Sequence, residues 1–293
     1  MMVEKGVILA AGFGTRLLPA SKAVPKEMLP LLDRPIIQHI VEEAAAAGIT
    51  QLVVVVSGGK EAIASHFSPS PQLEEALAAR GEGAMLEEVR RLSSLASLAF
   101  VYQHERLGTG HALLQARHLL GQGPFALFYP DDIMLGDTPA IGHVAEAYER
   151  YGRPILGVCP VPPKDAHRYG LISGTPLGDG LYRVAATVEK PPPGEAPSNL
   201  ALVGRMILTP EVFSYLDETP PGRDGEIWLT DALGLLCARS EVYACVLPHR
   251  WLDVGNPLGL LRASLVLACR APRWRAECQQ MLQELTWEVG PSS

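Results

Sequence analysis

The chain has 293 residues, of which 47% are hydrophobic, and it carries a formal net charge of −7. This length and this apolar fraction suffice for one large core, so we predict a single domain over residues 1–293. The negative charge excludes a general nucleic-acid surface, and no apolar run approaches the ~20 residues that a membrane span needs. Five cysteines without a C-x-x-C spacing, and a first apolar run too short for a signal peptide, predict a cytoplasmic protein with reduced thiols.

The first apolar run, at residues 7–11, predicts a buried strand that leads directly into Gly-x-Gly at positions 12–14. A strand followed by Gly-x-Gly directs backbone N–H groups into one space, which is typical of phosphate sites. The small Ala10 and Ala11 leave room beside that space for a flat base or a ribose. Three cations follow, in a loop where prolines limit helix formation: Arg16, Lys22 and Lys26. The stretch therefore predicts a phosphate site, and a tight structural turn is the alternative.

Strand and helix patterns alternate along the rest of the chain, which predicts an α/β fold with a Rossmann-like, mostly parallel mixed sheet and helices on both faces. Strands are predicted at residues 51–56, 98–102, 124–129, 155–160, 181–188, 198–205 and 242–247. Helices are predicted at residues 35–47, 60–67, 112–120, 140–151, 210–216 and 232–237. Residues 68–96 interrupt this alternation as a helical insertion, and residues 257–293 form a C-terminal helical segment.

Polar residues and glycines follow several predicted strands at their carboxyl ends, where ligands bind in sheets of this kind. They are Gly12, Gln103, Asp131, Lys190 and Asp253. The adjacent carboxylates of Asp131 and Asp132 are costly to hold together without a cation, and their hard oxygen atoms suit Mg²⁺. A turn with solvated carboxylates is the alternative. Gln103 can donate and accept at once, which suits the imide edge of a pyrimidine, and a satisfied loop amide is the alternative.

The segment AAGFGTRLLPASKAVPKEMLPLLDRPIIQ resembles the opening motif of the nucleotidyltransferases that join nucleoside triphosphates to sugar 1-phosphates. The resemblance covers residues 6–268 and is closest to the bacterial uridylyltransferases. Later matches to the family are Tyr169-Gly170, Val188-Glu189-Lys190-Pro191 and the trio Glu226, Thr230 and Asp231. The chain departs from the family pattern at Asp224 and Gly225, which are transposed, and at Trp228, which replaces a glutamine.

This resemblance implies a GT-A-like architecture and the reaction of UTP with α-D-glucose 1-phosphate to give UDP-glucose and pyrophosphate. It further implies direct in-line attack, an Mg²⁺ cofactor, and a homodimer or homotetramer. The residues expected to act in catalysis are Arg16, Lys26, Asp131 and Lys190. The residues expected to bind the nucleotide are Ala10, Ala11, Gly12, Gly14, Thr15, Arg16, Lys26, Glu27, Gln103, Gly108 and Asp132. The sugar is expected at Tyr169, Gly170, Glu189, Lys190, Val203 and Gly204, and Mg²⁺ at Asp131 and Asp253.

Three alternatives compete with this hypothesis. A glucose-1-phosphate thymidylyltransferase would make dTDP-glucose, and parallel assays with UTP and dTTP separate the two. A dinucleotide-binding oxidoreductase is disfavoured, because Leu17 stands where the third glycine belongs and Val56-Ser57 supplies no acidic residue after the second strand. A nucleotide-sugar sensor without activity is disfavoured by the intact Lys26, Lys190, Asp131 and Asp253.

Overall fold

The computed structural model describes residues 3–222 and 225–289, with side chains described up to residue 285, and its strands form one large sheet and two small ones. The strands are β1 (Lys5–Leu9), β2 (Pro30–Leu31), β3 (Arg34–Pro35), β4 (Gln51–Val56), β5 (Ser97–Tyr102), β6 (Phe125–Phe128), β7 (Asp132–Leu135), β8 (Ile155–Pro160), β9 (Gly170–Gly178), β10 (Leu181–Glu189), β11 (Leu200–Leu208), β12 (Tyr243–Val246) and β13 (Arg250–Asp253). Asp224, one of the two transposed positions, lies outside the described residues, as do residues 290–293 of the predicted C-terminal segment.

The large sheet runs in the order β5-β4-β1-β6-β11-β8-β12-β10-β9 within the described residues. The half that contains β5, β4, β1 and β6 is parallel. In the other half β11 runs antiparallel to both β6 and β8, and β10 runs antiparallel to β12 and β9. The predicted α/β fold with a mixed sheet is confirmed, and the parallel pairing is concentrated in the first half of the chain.

Helices pack on both faces of this sheet. They are α1 (Ile36–Ala46), α2 (Glu61–His66), α3 (Pro71–Ala79), α4 (Gly83–Ser94), α5 (Gly108–Leu120), α6 (Ala140–Tyr151), α7 (Glu211–Glu218), α8 (Leu229–Arg239), α9 (Pro257–Arg270) and α10 (Arg275–Val289). Successive β1 side chains point to opposite faces, so Ile8 packs in the core beside α1 and α6, whereas Val7 and Leu9 pack beside α5, α7 and α8. No helix of the described residues is both long enough and apolar enough to cross a membrane.

Five strands of the described residues are absent from the sequence-based prediction, and two of them, β2 and β3, are two residues long and pair with each other. β9 pairs with β10 around a turn at Gly178-Asp179-Gly180, but its second half is exposed and contains glycine and proline, so its pattern is weak. β7 and β13 are four residues long and, within the described residues, pair only with each other. Their pairing places Asp132 opposite Asp253, a contact between remote parts of the chain that no local pattern predicts.

Gly204, at the centre of β11, lies very close to the backbone of the segment beside it. A Cβ added there would lie 2.1 Å from the backbone nitrogen of Tyr129, which follows β6. Real Cβ atoms do not approach a backbone atom so closely, so any side chain at position 204 forces the two strand segments apart. The glycine is therefore required by strand packing.

We predict that Gly204→Ala lowers the free energy of unfolding by about 3 kcal/mol, because the added methyl group overlaps a backbone that cannot move without disturbing the sheet. Gly58→Ala is the matched control, since a Cβ there meets nothing within 4 Å, and its effect should stay within about 0.5 kcal/mol. Urea denaturation measures the free energy of unfolding of both variants. Equal unfolding midpoints for the two variants would contradict the prediction.

Candidate active site

Two adjoining cavities open at the carboxyl ends of β1, β6 and β10. The main cavity has a volume of about 550 Å³ and the side cavity a volume of about 300 Å³, and both are lined by Leu9, Gly12 and Thr109. The predicted residues that line the main cavity are Gly12, Arg16, Lys26, Asp131, Asp132, Tyr169, Gly170, Glu189, Lys190 and Asp253. Those that line the side cavity are Ala11, Gly12, Thr15, Gln103 and Gly108. The fold thus brings most of the predicted nucleotide and sugar residues to one place.

Asp131 lies between two cations of the loop that follows β1. Its Oδ2 atom is 2.6 Å from Lys26 Nζ and 3.5 Å from Arg16 Nη2. Burial alone would raise the pKa of Asp131, but Lys26 and then Arg16 outweigh it and lower that pKa. Burial would likewise lower the pKa of Lys26, and the carboxylates of Asp131 and Glu27 raise it instead. Both partners are therefore charged, and Arg16 remains 61% exposed at the cavity mouth.

Asp132 has a different environment from its neighbour and faces inward. Its Oδ2 accepts a hydrogen bond from the Gly204 N–H at 2.9 Å, and its Oδ1 accepts one from Trp251 Nε1 at 2.8 Å. Burial and the adjacent charge of Asp131 raise the pKa of Asp132 to about 7.

The backbone carbonyl of Asp132 accepts a hydrogen bond from the fully buried Arg205 at 2.6 Å, and Arg205 also binds both oxygens of Glu43. Asp132 thus joins β7, to which it belongs, with β11 and β13 where the cavity opens.

Asp131 and Asp253 face each other across Gly255. A Cβ built at Gly255 would lie 2.9 Å from Asp131 Oδ2 and 3.0 Å from Asp253 Oδ1, so the two oxygen atoms are separated by no more than the sum of these distances. The described residues contain no group of three His, Cys, Asp or Glu side chains arranged to hold a metal by themselves. A pair of aspartates fits Mg²⁺, which takes one or two protein carboxylates and completes its coordination with water and substrate phosphates.

Asp253 is positioned by its own loop and by the segment that precedes β9. Its Oδ1 accepts the Gly255 N–H at 2.9 Å, and its Oδ2 accepts the hydroxyl of Tyr169 at 3.3 Å. Arg168 lies 3.7 Å from Oδ2, so this carboxylate also has a cation nearby. Because these contacts leave Asp253 at the cavity wall, it can bind a cation shared with Asp131.

Lys190 and Glu189 both line the main cavity although they are adjacent in sequence. Lys190 has φ of 41°, and this bend at the end of β10 directs both side chains to the same side. Lys190 Nζ lies 3.3 Å from Glu189 Oε1 and 4.5 Å from the ring centroid of Trp228. Glu189 Oε2 accepts a hydrogen bond from Thr230 at 2.7 Å. The carboxylate of Glu189 and the ammonium group of Lys190 are therefore presented to the same cavity.

Gln103 is almost completely buried at the wall of the side cavity. Its Nε2 donates to the Gly108 carbonyl at 3.0 Å and lies 3.0 Å from His111 Nδ1. A carbonyl can only accept, so the amide nitrogen must face it, and both N–H groups are engaged. The oxygen of the amide is left for a ligand. Gln103 therefore offers an acceptor to the cavity, rather than the expected donor and acceptor pair.

Five predicted site residues do not line either cavity, and each has a structural contact instead. The residues are Ala10, Gly14, Glu27, Val203 and Gly204. Ala10 and Val203 are completely buried in the core. Gly14 adopts φ of 70° and its carbonyl accepts a hydrogen bond from Ser21 at 2.7 Å, which closes the loop. The expected approach of Gly204 to a ligand is replaced by its approach to Tyr129.

Glu27 supports the loop from beneath. Its carboxylate is fully buried and lies 2.8 and 2.9 Å from the ammonium group of Lys60, which also donates to the Ala10 carbonyl. Burial lowers the pKa of Lys60, and Glu27 opposes that shift. This pair connects the end of the cationic loop to the ends of β1 and the segment after β4. Glu27 therefore positions Lys26 through its neighbouring backbone and does not reach the cavity.

Several residues that shape the site were not predicted. Lys60 and the indole of Trp251 bind the carboxylates of two predicted site residues, Glu27 and Asp132. The buried cation Arg205 binds the backbone carbonyl of Asp132. Arg106 lines the side cavity, and its guanidinium lies 3.4 Å above the ring of Phe13. These partners are distant in sequence, so no spacing signals them. Lys60 alone carries a local signal, since it follows Ser57-Gly58-Gly59 directly at a strand end.

Comparisons with known proteins agree with this geometry. The nucleotidyl transferase family model matches residues 5–269. The UTP–glucose-1-phosphate uridylyltransferase of Staphylococcus epidermidis is 42% identical over 283 residues, which cover 97% of this chain and 98% of that protein. A UDP-glucose pyrophosphorylase complexed with UDP-glucose has a TM-score of 0.84 and 36% identity, and covers 92% of this chain and 100% of that chain.

A third comparison is with another solved structure. The UTP-bound UGPase from Acinetobacter baumannii has a TM-score of 0.90 and 34% identity, with 97% of this chain and 100% of that chain covered. The range matched by the family model, residues 5–269, includes every residue that lines the two cavities. The resemblance inferred from the motifs is confirmed, and the chain belongs to the nucleotidyl transferase family.

Proposed function

We propose that this chain forms UDP-glucose and pyrophosphate from UTP and α-D-glucose 1-phosphate. The observation that carries the proposal is the arrangement of the two cavities. Two loop cations, two aspartates and a Glu-Lys pair line the main cavity, and an acceptor-only amide lies in the adjoining side cavity. Relatives that match over nearly their whole length carry the uridylyltransferase name.

The side cavity suits the uracil base. The N3–H of uracil is a donor, and the free oxygen of Gln103 is an acceptor with which it can pair. The N3 atom of cytosine is an acceptor. In the same position it would face the acceptor oxygen of Gln103, and no hydrogen bond could form between them. The triphosphate would then extend past Gly12 towards Arg16 and Lys26, where backbone N–H groups and cations meet its charge.

The main cavity suits the sugar phosphate. The carboxylate of Glu189 can accept hydrogen bonds from sugar hydroxyls, and Gly170 provides space beside it, since a Cβ there would lie 2.8 Å from Glu189 Oε2. The ammonium group of Lys190 is 3.3 Å from the same carboxylate, so it can neutralise a phosphate attached to that sugar. The glucosyl phosphate would thereby face Asp131 and the α-phosphate of the nucleotide.

The proposed chemistry is a direct displacement. An oxygen of the sugar phosphate attacks the α-phosphorus of UTP, the bond from that phosphorus to the bridging oxygen breaks, and pyrophosphate leaves. A phosphate monoester is already anionic, so no general base is needed, and the chain's residues act by alignment and charge neutralisation. Lys26 and Arg16 neutralise the nucleotide phosphates, and Lys190 neutralises the nucleophile's own charge. Asp131 and Asp253 would hold Mg²⁺, which supplies further neutralisation of phosphate charge when bound.

A homodimer or homotetramer is part of the same proposal. Helix α9 exposes Leu258 and Leu261, which are 77% and 55% accessible in the single chain. Neighbouring exposed leucines on one helix support a subunit contact. Analytical ultracentrifugation would distinguish a monomer from either assembly.

The experiment that tests the function is pyrophosphate release across a panel of nucleotides and sugar phosphates. UTP with glucose 1-phosphate should give the highest kcat/KM. A higher kcat/KM with dTTP than with UTP would favour the thymidylyltransferase alternative instead. Binding of UDP-glucose without any turnover would favour the sensor.

Gln103→Ala should weaken the use of UTP by about 1–3 kcal/mol in kcat/KM, because the uracil N3–H loses its acceptor in a buried site. The preference for UTP over CTP should fall at the same time, since the removed oxygen is what opposes cytosine. Steady-state kinetics with both nucleotides measure the two effects. His118→Ala, on the far half of α5, is a control that should leave the preference unchanged. An unchanged UTP to CTP ratio in Gln103→Ala would reject the assignment.

Asp131→Asn and Asp253→Asn should each reduce kcat by at least about 100-fold, since Mg²⁺ relies on few carboxylates. The double variant should be far less impaired than the product of the two single effects, because both substitutions remove the same ion. Titration of activity against Mg²⁺ and Mn²⁺ checks whether high metal concentrations restore part of the rate. If the two effects simply multiply, the model of a shared metal fails.

A further inference from the structure

We propose that Trp228 is a positioning residue for Lys190. The face of its indole holds the Lys190 ammonium group inside the main cavity, where the phosphate of the sugar substrate binds. This inference rests on the proposed function, because it takes the sugar phosphate as the group that Lys190 meets. Nothing in the family resemblance calls for an aromatic ring at position 228, where the family pattern has a glutamine.

The contact between the two side chains is direct. Lys190 Nζ lies 4.5 Å from the centroid of the Trp228 ring, which is within the range of cation–π attraction. Both side chains line the main cavity. The Lys190 side chain is 52% exposed, so its flexible stem would otherwise sample many positions in solvent. The Trp228 ring therefore restricts the conformations of the Lys190 side chain, which is otherwise little restrained by its surroundings.

The second partner of Lys190 cannot serve this purpose once substrate binds. Glu189 lies 3.3 Å from the ammonium group, but it also accepts a hydrogen bond from Thr230 and is the proposed acceptor for sugar hydroxyls. An aromatic face attracts the cation through its quadrupole and does not take up its N–H groups as strongly as a carboxylate does. Trp228 can thus hold Lys190 while the ammonium hydrogen atoms remain available to phosphate oxygens.

The backbone that carries Trp228 is held on both sides. Trp228 precedes α8 in an extended conformation, with φ of −87° and ψ of 133°. On one side the Ile227 N–H donates to the Leu107 carbonyl at 2.7 Å, and on the other the Leu229 N–H donates to Thr109 Oγ1 at 3.1 Å. These bonds attach the segment to the start of α5. A ring on a segment attached in this way can define where the ammonium group of Lys190 lies.

The test compares Trp228→Leu, which removes the aromatic face, with Trp228→Phe, which keeps one. Each substitution is made in the wild-type chain and in Lys190→Ala, and kinetics are measured with UTP and glucose 1-phosphate. Trp228→Leu should lower kcat/KM for glucose 1-phosphate by roughly tenfold and leave the KM for UTP within about twofold. Trp228→Phe should recover most of that loss. In the Lys190→Ala background, Trp228→Leu should have almost no further effect.

Trp274→Leu is the matched control. The guanidinium group of Arg273 lies 4.9 Å from the centroid of the Trp274 ring, so this tryptophan also contacts a cation. Trp274 lies just before α10 and lines neither cavity. It should leave both KM values unchanged. An equal loss from Trp228→Leu with and without Lys190 would overturn the proposal, and would indicate that the ring contacts the sugar itself or supports the fold. A rise in the KM for UTP of the same size as the rise for glucose 1-phosphate would also overturn it.

A second readout does not depend on turnover. Inorganic phosphate, used as the probe, should change the tryptophan fluorescence of the wild-type chain by binding the ammonium group that lies over the Trp228 ring, and should change it much less in Lys190→Met. An identical response in both would overturn the positioning role. If the wild-type chain shows the fluorescence difference but makes no UDP-glucose from UTP and glucose 1-phosphate, the proposed function fails while the contact stands.

Discussion

The buried carboxylate of Asp132 is the constraint on which the rest of the site depends. It lies in a region where an unpaired charge would be very costly, and it is satisfied by the Gly204 N–H and the Trp251 indole. These two partners belong to β11 and β13, and the Asp132 carbonyl is bound by Arg205. Because one residue connects three strands, the backbone on either side of it cannot shift independently. Asp131 is thereby directed outwards, and Asp253 is held opposite by the pairing of β7 with β13.

A second feature follows from this arrangement: cations proposed to meet phosphate have carboxylate partners in the chain itself. Lys26 lies 2.6 Å from Asp131, and Lys190 lies 3.3 Å from Glu189. Burial would lower the pKa of Lys26, and the carboxylates of Asp131 and Glu27 raise it instead. Asp131 and Glu27 therefore favour the charged form of Lys26 before a phosphate arrives. Substrate binding then exchanges one anionic partner for another, which involves little reorganisation of the site.

Much of this could be predicted from the sequence, and the reasons for the remainder are physical. Gly12, Gln103 and Asp131 stand at the ends of apolar runs, and the carboxyl ends of strands in such a sheet converge, so their meeting follows from order along the chain. Gly204 lies against Tyr129 and does not line a cavity, a detail that the sequence leaves open because a glycine in a strand signals close approach without indicating which atoms it approaches. Glu27 lies beneath the loop because its partner, Lys60, comes from another segment, whereas its motif neighbour Lys26 reaches the cavity. Contacts of this kind depend on tertiary packing, which leaves no local pattern.

The segment from Glu226 to Thr230 gives the two cavities a physical connection. Glu226 lines the side cavity, and Trp228 and Thr230 line the main cavity. Between them, Ile227 exchanges backbone hydrogen bonds with the start of α5, donating to Leu107 and accepting from Gly110. Close packing leaves this segment little freedom, since a Cβ at Gly108 would lie 2.6 Å from the Ile227 carbonyl. The proposed base site and the proposed site for the sugar phosphate thus share one short stretch of backbone.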